Sequence, residues 1–529
     1  MKKLISLLLA VFMVVGLFAG CGNEAPAEGT NAPTEGNAVE ANPTEAVDTP
    51  SEPIKLQFMI NTEIKEGSIG DQWVKQIEEH CNVEIEWISP AASAYEENLQ
   101  LMLLDEERPD AVIFPTAWMN NTAFMDACED GMFIPLEEML PNYKNIMNHT
   151  AEVSWNALDI FGDGHIWAVP RSTVMRADGF AIHEEWLKNL NIDYTEGEFM
   201  TLDEFYDMLY AFTYDDPDGN GIDDTYGLMA YSTEDGTLVT ALQHIFGIGT
   251  GSEFYDIDGE PVMLKYSKEH DNYKNYLAFL NKCWEAGVID PDAFSIDLSV
   301  ATERRSLGTV GVYSTYPGTM TVVPTDDNPV THVYCPGVVQ NEGDTFGYGE
   351  FATGVYWFWA ISNTCEYPEK VLEVFDYILS DEQWTNLNAG SVEGVGFEFT
   401  ADGNYDFSKT DALKEQGLDD INPIKLIMRR SDGAEFFISK SMPIEQQERL
   451  ADLIAMSFDL YVAPLDEGFV PTIASDPVFI EYKNFVIQAE AKIITGEEPV
   501  EYWDEVLEGW YEAGGDQYIQ EVLDYINGK

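Results

Sequence analysis

Basic residues are scarce in this chain: 27 Lys and Arg face 95 Asp and Glu, a formal net charge of −68 over 529 residues. A surface of that sign repels phosphate backbones and anionic lipid headgroups, which excludes a nucleic-acid partner. Cysteine is sparse as well. Cys21, Cys81, Cys128, Cys283, Cys335 and Cys365 are scattered, with no C-x-x-C pair. Such spacing builds neither a disulfide framework nor a zinc site, so most are expected as small buried hydrophobes. One pair could be bridged, but the spacing does not select it. The seven histidines are dispersed, and His183-Glu184-Glu185 lacks the second histidine of H-E-x-x-H. Neither a G-x-S-x-G elbow nor a phosphate-cradling glycine loop is present.

Long apolar runs are also missing, except at the front. Leu4 to Phe18 follows Lys2 and Lys3 and is too short for an ordinary membrane span. It ends in L-F-A-G-C, Leu17 to Cys21, which resembles the bacterial lipoprotein signal; residues 1–21 are therefore expected to be a leader, with Cys21 as the lipidated residue. Residues 22–53 contain no aromatic side chain and hardly any large aliphatic one. A stretch of that kind buries too little to offset its ordering entropy, so it is expected to be a disordered acidic tether. The rest is rich in core material, 45% hydrophobic and 12% aromatic overall, which leaves the acid on a solvated surface.

One short stretch carries a ligand pattern. Asp216, Asp218 and Asn220 fall at alternate positions, Gly221 follows, and Asp224 closes the span. Oxygens at positions 1, 3, 5 and 9, a glycine at 6, and a backbone carbonyl at 7 (here Ile222) are those of an EF-hand-type loop. Gly227 stands at position 12, where a sensor EF-hand needs a bidentate glutamate. The expectation is a one-loop Ca²⁺ staple over 216–225, completed by Thr225, water or a distant carboxylate. The alternative is a polar turn without metal.

Periodicity gives the architecture. Ile54 to Ile60 and Val83 to Trp87 alternate as strands, and Ala111 to Phe114 is a third. Helical spacing over Asp71 to His80 and Tyr95 to Leu104 separates them, so the opening is a β-α-β-α-β unit with a parallel sheet. Ligands collect at the carboxyl ends of such strands, here near Asn61 and Pro115 to Trp118. Met132 to Tyr143 reads as a short strand and helix. Thr201 to Phe212 begins T-L-D-E, a capping box. Beyond Ala451 the chain is mostly helical. No composition break divides 54–529, which implies two lobes interleaved in sequence. The expected boundaries are 54–165 plus 350–395 for the first lobe, and 166–349 plus 396–529 for the second.

Taken in order, these pieces carry a family likeness: the L-F-A-G-C signal, the acidic tether, R-P-D-A-V-I-F, D-P-D-G-N-G-I-D-D-T-Y-G-L, F-W-A-I-S-N-T-C-E-Y-P-E-K-V-L-E-V-F-D-Y and E-G-V-G-F. Together they resemble the extracellular solute-binding lipoproteins (family 1) that feed ATP-driven sugar importers of Gram-positive bacteria, closest to the oligosaccharide-binding branch with a calcium loop. The resemblance implies an α/β, two-lobed, periplasmic-binding-protein-like (type II) hinge fold, each lobe a mixed sheet flanked by helices, with extra C-terminal helices. It implies a carbohydrate ligand captured between the lobes, delivery to the transmembrane subunits of an ABC permease, attachment to the outer face of the membrane, and no chemistry on the cargo. A monomer is expected. By the same likeness Asp216, Asp218, Asn220, Ile222 and Asp224 hold a structural Ca²⁺ away from the cleft.

Sugar clefts need flat aromatic faces and polar groups for the hydroxyls. The candidates are Trp118 after a strand end, Tyr313 and Tyr316 in V-Y-S-T-Y-P-G, Trp167 and Arg171 at the first lobe crossing, Trp357 in V-Y-W-F-W, and Glu393 in G-S-V-E-G-V-G-F. Each has a bland reading as core, as interlobe ion pair or as solvated acid. Two further functions stay open: a surface-anchored glycoside hydrolase, which needs two carboxylates flanking the scissile bond, and a same-fold binder of peptide or another solute.

Overall fold

The computed structural model describes residues 52–91, 94–233, 235–249, 253–324, 329–341, 353–433, 438–466 and 469–528. The leader with Cys21 and the tether up to residue 51 lie outside them. Nine strands form its two larger sheets. They are Ile54–Met59 (β1), Val83–Ile88 (β2), Ala111–Pro115 (β3), Val169–Ser172 (β4), Gly179–His183 (β5), Tyr226–Leu228 (β6), Val310–Thr315 (β7), His332–Cys335 (β8) and Val355–Ile361 (β9).

The first sheet runs β2-β1-β3-β9-β4. Its opening follows the sequence pattern: Leu56 and Phe58 of β1 are buried and Lys55 and Gln57 exposed, and β1 pairs parallel with both β2 and β3. The helix Ile69–Cys81 (α1) lies between β1 and β2, turning Ile69, Trp73, Val74, Ile77 and Cys81 inward. Ser68 caps it by accepting from the Asp71 N–H at 3.2 Å, and Asn82 ends it at φ 52°. β9 then enters antiparallel to β3 and β4, so the completed sheet is mixed. The strand and helix expected over 132–143 reduce to a bridge between Phe133 and Ser362 and a 3-10 turn at Leu140–Asn142. Pro135 and Pro141 remove the donors that either element would need.

The second sheet runs β8-β5-β7-β6, with β7 antiparallel to β5 and parallel to β6. One hydrophobic cluster covers the face bearing Phe180, Ile182, Val312 and Cys335, and takes in Phe479, Trp503 and Trp510 from the C-terminal helices. A smaller cluster covers the opposite face, where Ala181, Tyr313 and Tyr334 meet Leu450, Leu453 and Ile454. The first sheet has a separate cluster, running from Leu56 to Val169 and resuming from Val355 to Met428. The chain therefore passes between the two cores three times: after Val169, before Val355 and after Met428.

Two expected boundaries move. Trp167, Ala168 and Val169 pack in the first core, beyond the break expected at 165/166. Ile424, Ile427 and Met428, expected in the second lobe, are buried in the first. Their side chains lie on a short helix, Asn422–Leu426, and the turn after it, and these pack against α1 and cover its sheet. Of the cysteines, Cys81, Cys128, Cys283 and Cys335 are free and buried, and Cys365 is free and half-buried.

The helix Leu202–Tyr214 (α2) begins with the expected capping box, Thr201 N–H donating to Glu204 at 2.9 Å and Glu204 N–H to Thr201 Oγ1 at 3.3 Å. Its C-terminal half is latched to β6. Gly227 N–H donates to Thr213 Oγ1 at 3.0 Å, and Thr225 Oγ1 donates to the Phe212 carbonyl at 2.9 Å. A Cβ at Gly227 would stand 2.4 Å from the Leu209 carbonyl oxygen and 2.8 Å from its Cα. Main chain on a helix cannot yield as a flexible side chain would. Gly227→Ala is therefore expected to lower stability by about 1–3 kcal/mol, read as an earlier urea-unfolding midpoint. An unchanged midpoint would contradict this packing.

Candidate functional site

The three passages between the cores converge. Arg171 ends the first-core part of the chain on β4, Tyr356 opens β9, and Arg429 follows the last residues of that core. Backbone bonds join the segments: Ser172 N–H donates to the Arg429 carbonyl at 3.2 Å, and Thr173 N–H to the Gly354 carbonyl at 2.9 Å. Gly354 sits at φ 65°, and a Cβ there would lie 2.8 Å from Ser154 Oγ. Glycine is needed for both reasons. Thr116, just past β3, bonds the Val355 carbonyl at 3.1 Å and also reaches that of Tyr356. The strand end that the sequence marked for ligands thus touches the same place.

Side chains meet there too. Arg171 is 1% exposed, its Nη2 donating to the Lys425 carbonyl at 2.6 Å. Its guanidinium lies 5.0 Å from the Tyr356 ring centroid, and that of Arg429 lies 6.0 Å from the same ring. Tyr356 itself is 38% exposed. Burial, then the neighbouring Arg429 charge, pushes the Arg171 pKa well below the ordinary arginine value.

The second lobe carries a cavity of its own. A cavity of about 500 Å³ is lined by Arg176, Asp178, Tyr231, Lys265, Arg305 and Glu490 among others. Arg176 pairs with Asp178 at 2.8 Å and lies 4.3 Å over the Tyr316 ring, while Arg305 lies 4.4 Å over Tyr313. Deeper in, Lys265 pairs with Glu490 at 3.0 Å, and Tyr273 donates to the same carboxylate at 2.7 Å. Burial opposes the Lys265 charge, but Glu490 outweighs it and holds the pKa well above the usual lysine value.

The residues singled out from the sequence separate into several groups. Trp118 is 2% exposed and packs 5.4 Å from Phe114, and Trp167 is buried edge-on to Phe161; both are first-core residues instead of open faces. Tyr313 and Tyr316 are buried under the arginines just named. Arg171 is at the meeting point, and half-buried Trp357 is next to it, paired with Arg171 across the sheet and 5.9 Å from Tyr95. Glu393 is exposed elsewhere, in a shallow depression with Gln76, His80, Tyr377 and Glu382. Tyr356, Arg429, Arg176 and Arg305 were missed. The doublets Arg304-Arg305 and Arg429-Arg430 stand out in so acidic a chain and were the available signal.

In the 216–225 loop, Asp216 (φ 50°) accepts from Gly221 N–H with both oxygens at 3.1 Å. The Asn220 amide donates to Asp218 at 2.7 Å and to Asp224 at 3.1 Å, and its oxygen accepts from Ile222 N–H at 2.6 Å. Asn220 thus links Asp218 to Asp224, Asp216 is bonded separately to the Gly221 backbone, and the Ile222 side chain is exposed. Thr225, expected as a sixth ligand, is buried with its hydroxyl given to the Phe212 carbonyl, away from the loop. Among the described residues no group of three or more His, Cys, Asp or Glu is arranged to hold a metal ion.

The family model described as bacterial extracellular solute-binding protein matches residues 61–383. The chain belongs to that family. It is 23% identical to the polygalacturonan/rhamnogalacturonan-binding protein YtcQ of Bacillus subtilis, over 98% of each chain. It is 23% identical to lipoprotein LipO of the same organism, over 85% of this chain and 87% of that one. In three dimensions it resembles an EF-hand mutant of the substrate-binding protein FusA of Streptococcus pneumoniae, solved with fructo-nystose. That match has a TM-score of 0.62 at 19% identity and covers 90% of this chain and 99% of the other. The shared fold is the two-lobed one expected.

Proposed function

We propose that this solute-binding protein captures an oligosaccharide between its lobes and hands it, uncut, to an ABC permease. The observation that carries the reading is the convergence of all three interlobe passages at one base, where partly exposed Tyr356 lies beside the Arg171 and Arg429 guanidinium groups. A ligand bridging such lobes binds the closed state better and shifts the hinge equilibrium towards it. The polysaccharide named for YtcQ and the oligosaccharide seen with FusA support a carbohydrate cargo. The likeness to LipO supports membrane display through Cys21. The working form is then a single chain on the outer face of the membrane.

Within this reading the 216–225 loop binds Ca²⁺ as a structural staple. The donor set suits it: Asp216, Asp218, Asn220 and Asp224 supply hard oxygens, with the Ile222 carbonyl at the seventh position. The Asn220 amide bridges two carboxylates, and turning it over would present its oxygen to a cation instead. Thr225 is left out because its hydroxyl is committed, and Gly227 because no side chain fits there.

Thermal melts of the secreted chain against a panel of neutral and acidic oligosaccharides, with the bound sugar recovered for mass spectrometry, test the cargo. One oligosaccharide is expected to raise the melting temperature and to come back intact; cleaved sugar, or silence across the panel, would overturn the proposal. In the same melts Ca²⁺ is expected to raise the melting temperature of the wild type and not of Asp218→Ala, and an equal rise in both would remove the staple. For the anchor, Cys21→Ala is expected to move the protein from the membrane fraction to the medium. Retention on the membrane would refute lipidation there.

A further inference from the structure

The cavity of the second lobe runs from the neighbourhood of the base into the core of that lobe. Arg176 and Asp178, which line it, follow the first passage within a few residues, and the Arg176 charge bears on Arg429. At its rim Tyr231 and Thr237 are half-buried and Leu298 is exposed. Its floor is core. Tyr273, Tyr276 and Leu277 on the helix Asn272–Glu285, and Ile494 on the helix Pro477–Thr495, are buried in the main cluster and line it. The volume of about 500 Å³ lies in the range of small-molecule sites and accommodates roughly one or two sugar rings. A saccharide chain has no way through a close-packed core, so only a chain end reaches the floor.

That floor carries a charged pair with hydrogen-bonding capacity left over. Tyr273 and Lys265 both reach Glu490 through its Oε1, at 2.7 and 3.0 Å. Oε2 accepts no hydrogen bond among the described residues, although Glu490 is only 7% exposed. Buried polar atoms are ordinarily paired, and a carboxylate accepts at both oxygens. Lys265 carries three donors and lies against the Tyr266 and Tyr273 rings, 5.4 and 5.0 Å from their centroids. An open acceptor therefore stands beside an ammonium group that keeps a donor. Two adjacent hydroxyls match the pair, one donating to Oε2 and the other accepting from Nζ. Tyr276 and Leu277 supply apolar surface for the C–H face of the same ring.

We infer that this cavity is a blind end pocket: the saccharide enters it by one terminal ring, whose adjacent hydroxyls are held by Glu490 and Lys265. This rests on the capture reading above and adds how the cargo is read, from an end and not along its middle. Tyr273 is a positioning residue that holds the carboxylate by its other oxygen. The remaining rings extend past the rim towards the base where the lobes meet. Discrimination concentrates in the buried ring, because a missing hydroxyl there leaves a buried charged group without its partner. Rings beyond the rim are read less strictly.

The test is calorimetry on the full secreted chain with galactan, xylan and homogalacturonan oligomers, from disaccharide to hexasaccharide. Each is compared with a form tagged at its reducing end by a fluorescent amine, and with a form capped at its non-reducing ring by a benzylidene acetal. For the oligomer that binds, one modification is expected to weaken binding at least about tenfold and the other less than about twofold. Replacing one of the adjacent hydroxyls of the buried ring by hydrogen is expected to cost the wild type about tenfold. Glu490→Gln, with its melting curve recorded to show that it folds, is expected to lose nothing further from that replacement, which a merely structural role would not produce. Ala491→Leu narrows the cavity from a half-buried helix position, leaves the charged pair intact and serves should Glu490→Gln not fold. It is expected to abolish binding with its melting temperature unchanged. Oligomers that bind equally well with either end blocked, or that bind Ala491→Leu as tightly as the wild type, overturn the end pocket and leave sugar capture standing. Failure of every saccharide overturns both.

Discussion

Everything in this molecule depends on how three separate stretches of chain cross between two hydrophobic cores while their backbone donors stay paired. The first stretch solves the problem by bonding to the other two, through Ser172 N–H to the Arg429 carbonyl and Thr173 N–H to the Gly354 carbonyl. Three crossings thereby share one base in place of acting as three independent linkers. The left-handed Gly354 and its contact with Ser154 fix where the second crossing turns. A base of this kind lets two rigid cores change their angle while keeping their internal packing, which a capture-and-release protein requires.

The charge distribution fits the same logic. Acid spread over the surface keeps the chain soluble and leaves the choice of ligand to local chemistry. Where cations are drawn into the fold they are mostly matched, as Arg449 is by Glu196 and Lys265 by Glu490. Arg171 is buried beside Arg429 where the lobes meet, and not at random on the surface. Fold membership identifies the type of protein but not its cargo.

Local pattern made the fold legible, and distance hid much of the site. Alternation in β1 and β2, the apolar stripe of α1 and the Thr201–Glu204 capping box are short-range signals, and each emerged within a residue or two of its expected bounds. The short strand and helix expected over 132–143 failed because Pro135 and Pro141 remove donors that both would need. The lobe boundary at 395/396 failed because Ile424 and Ile427 return to the first core from far along the chain, which no local period records. Trp118 and Tyr313 were chosen as aromatic residues near strand ends, but position along a strand does not say which face is dry. Burial decided against both. Tyr356 lay one residue from the chosen Trp357, on the opposite face of the same strand. Arg429 could be linked to Arg171 only once the chain was folded, since they lie 258 positions apart (429 less 171).

The central claim is closure of two lobes about the shared base, and small-angle X-ray scattering of the secreted chain, free and saturated with its saccharide, tests it most directly. The account predicts a smaller radius of gyration and maximum dimension in the saturated protein. Identical scattering with the site demonstrably filled would contradict it.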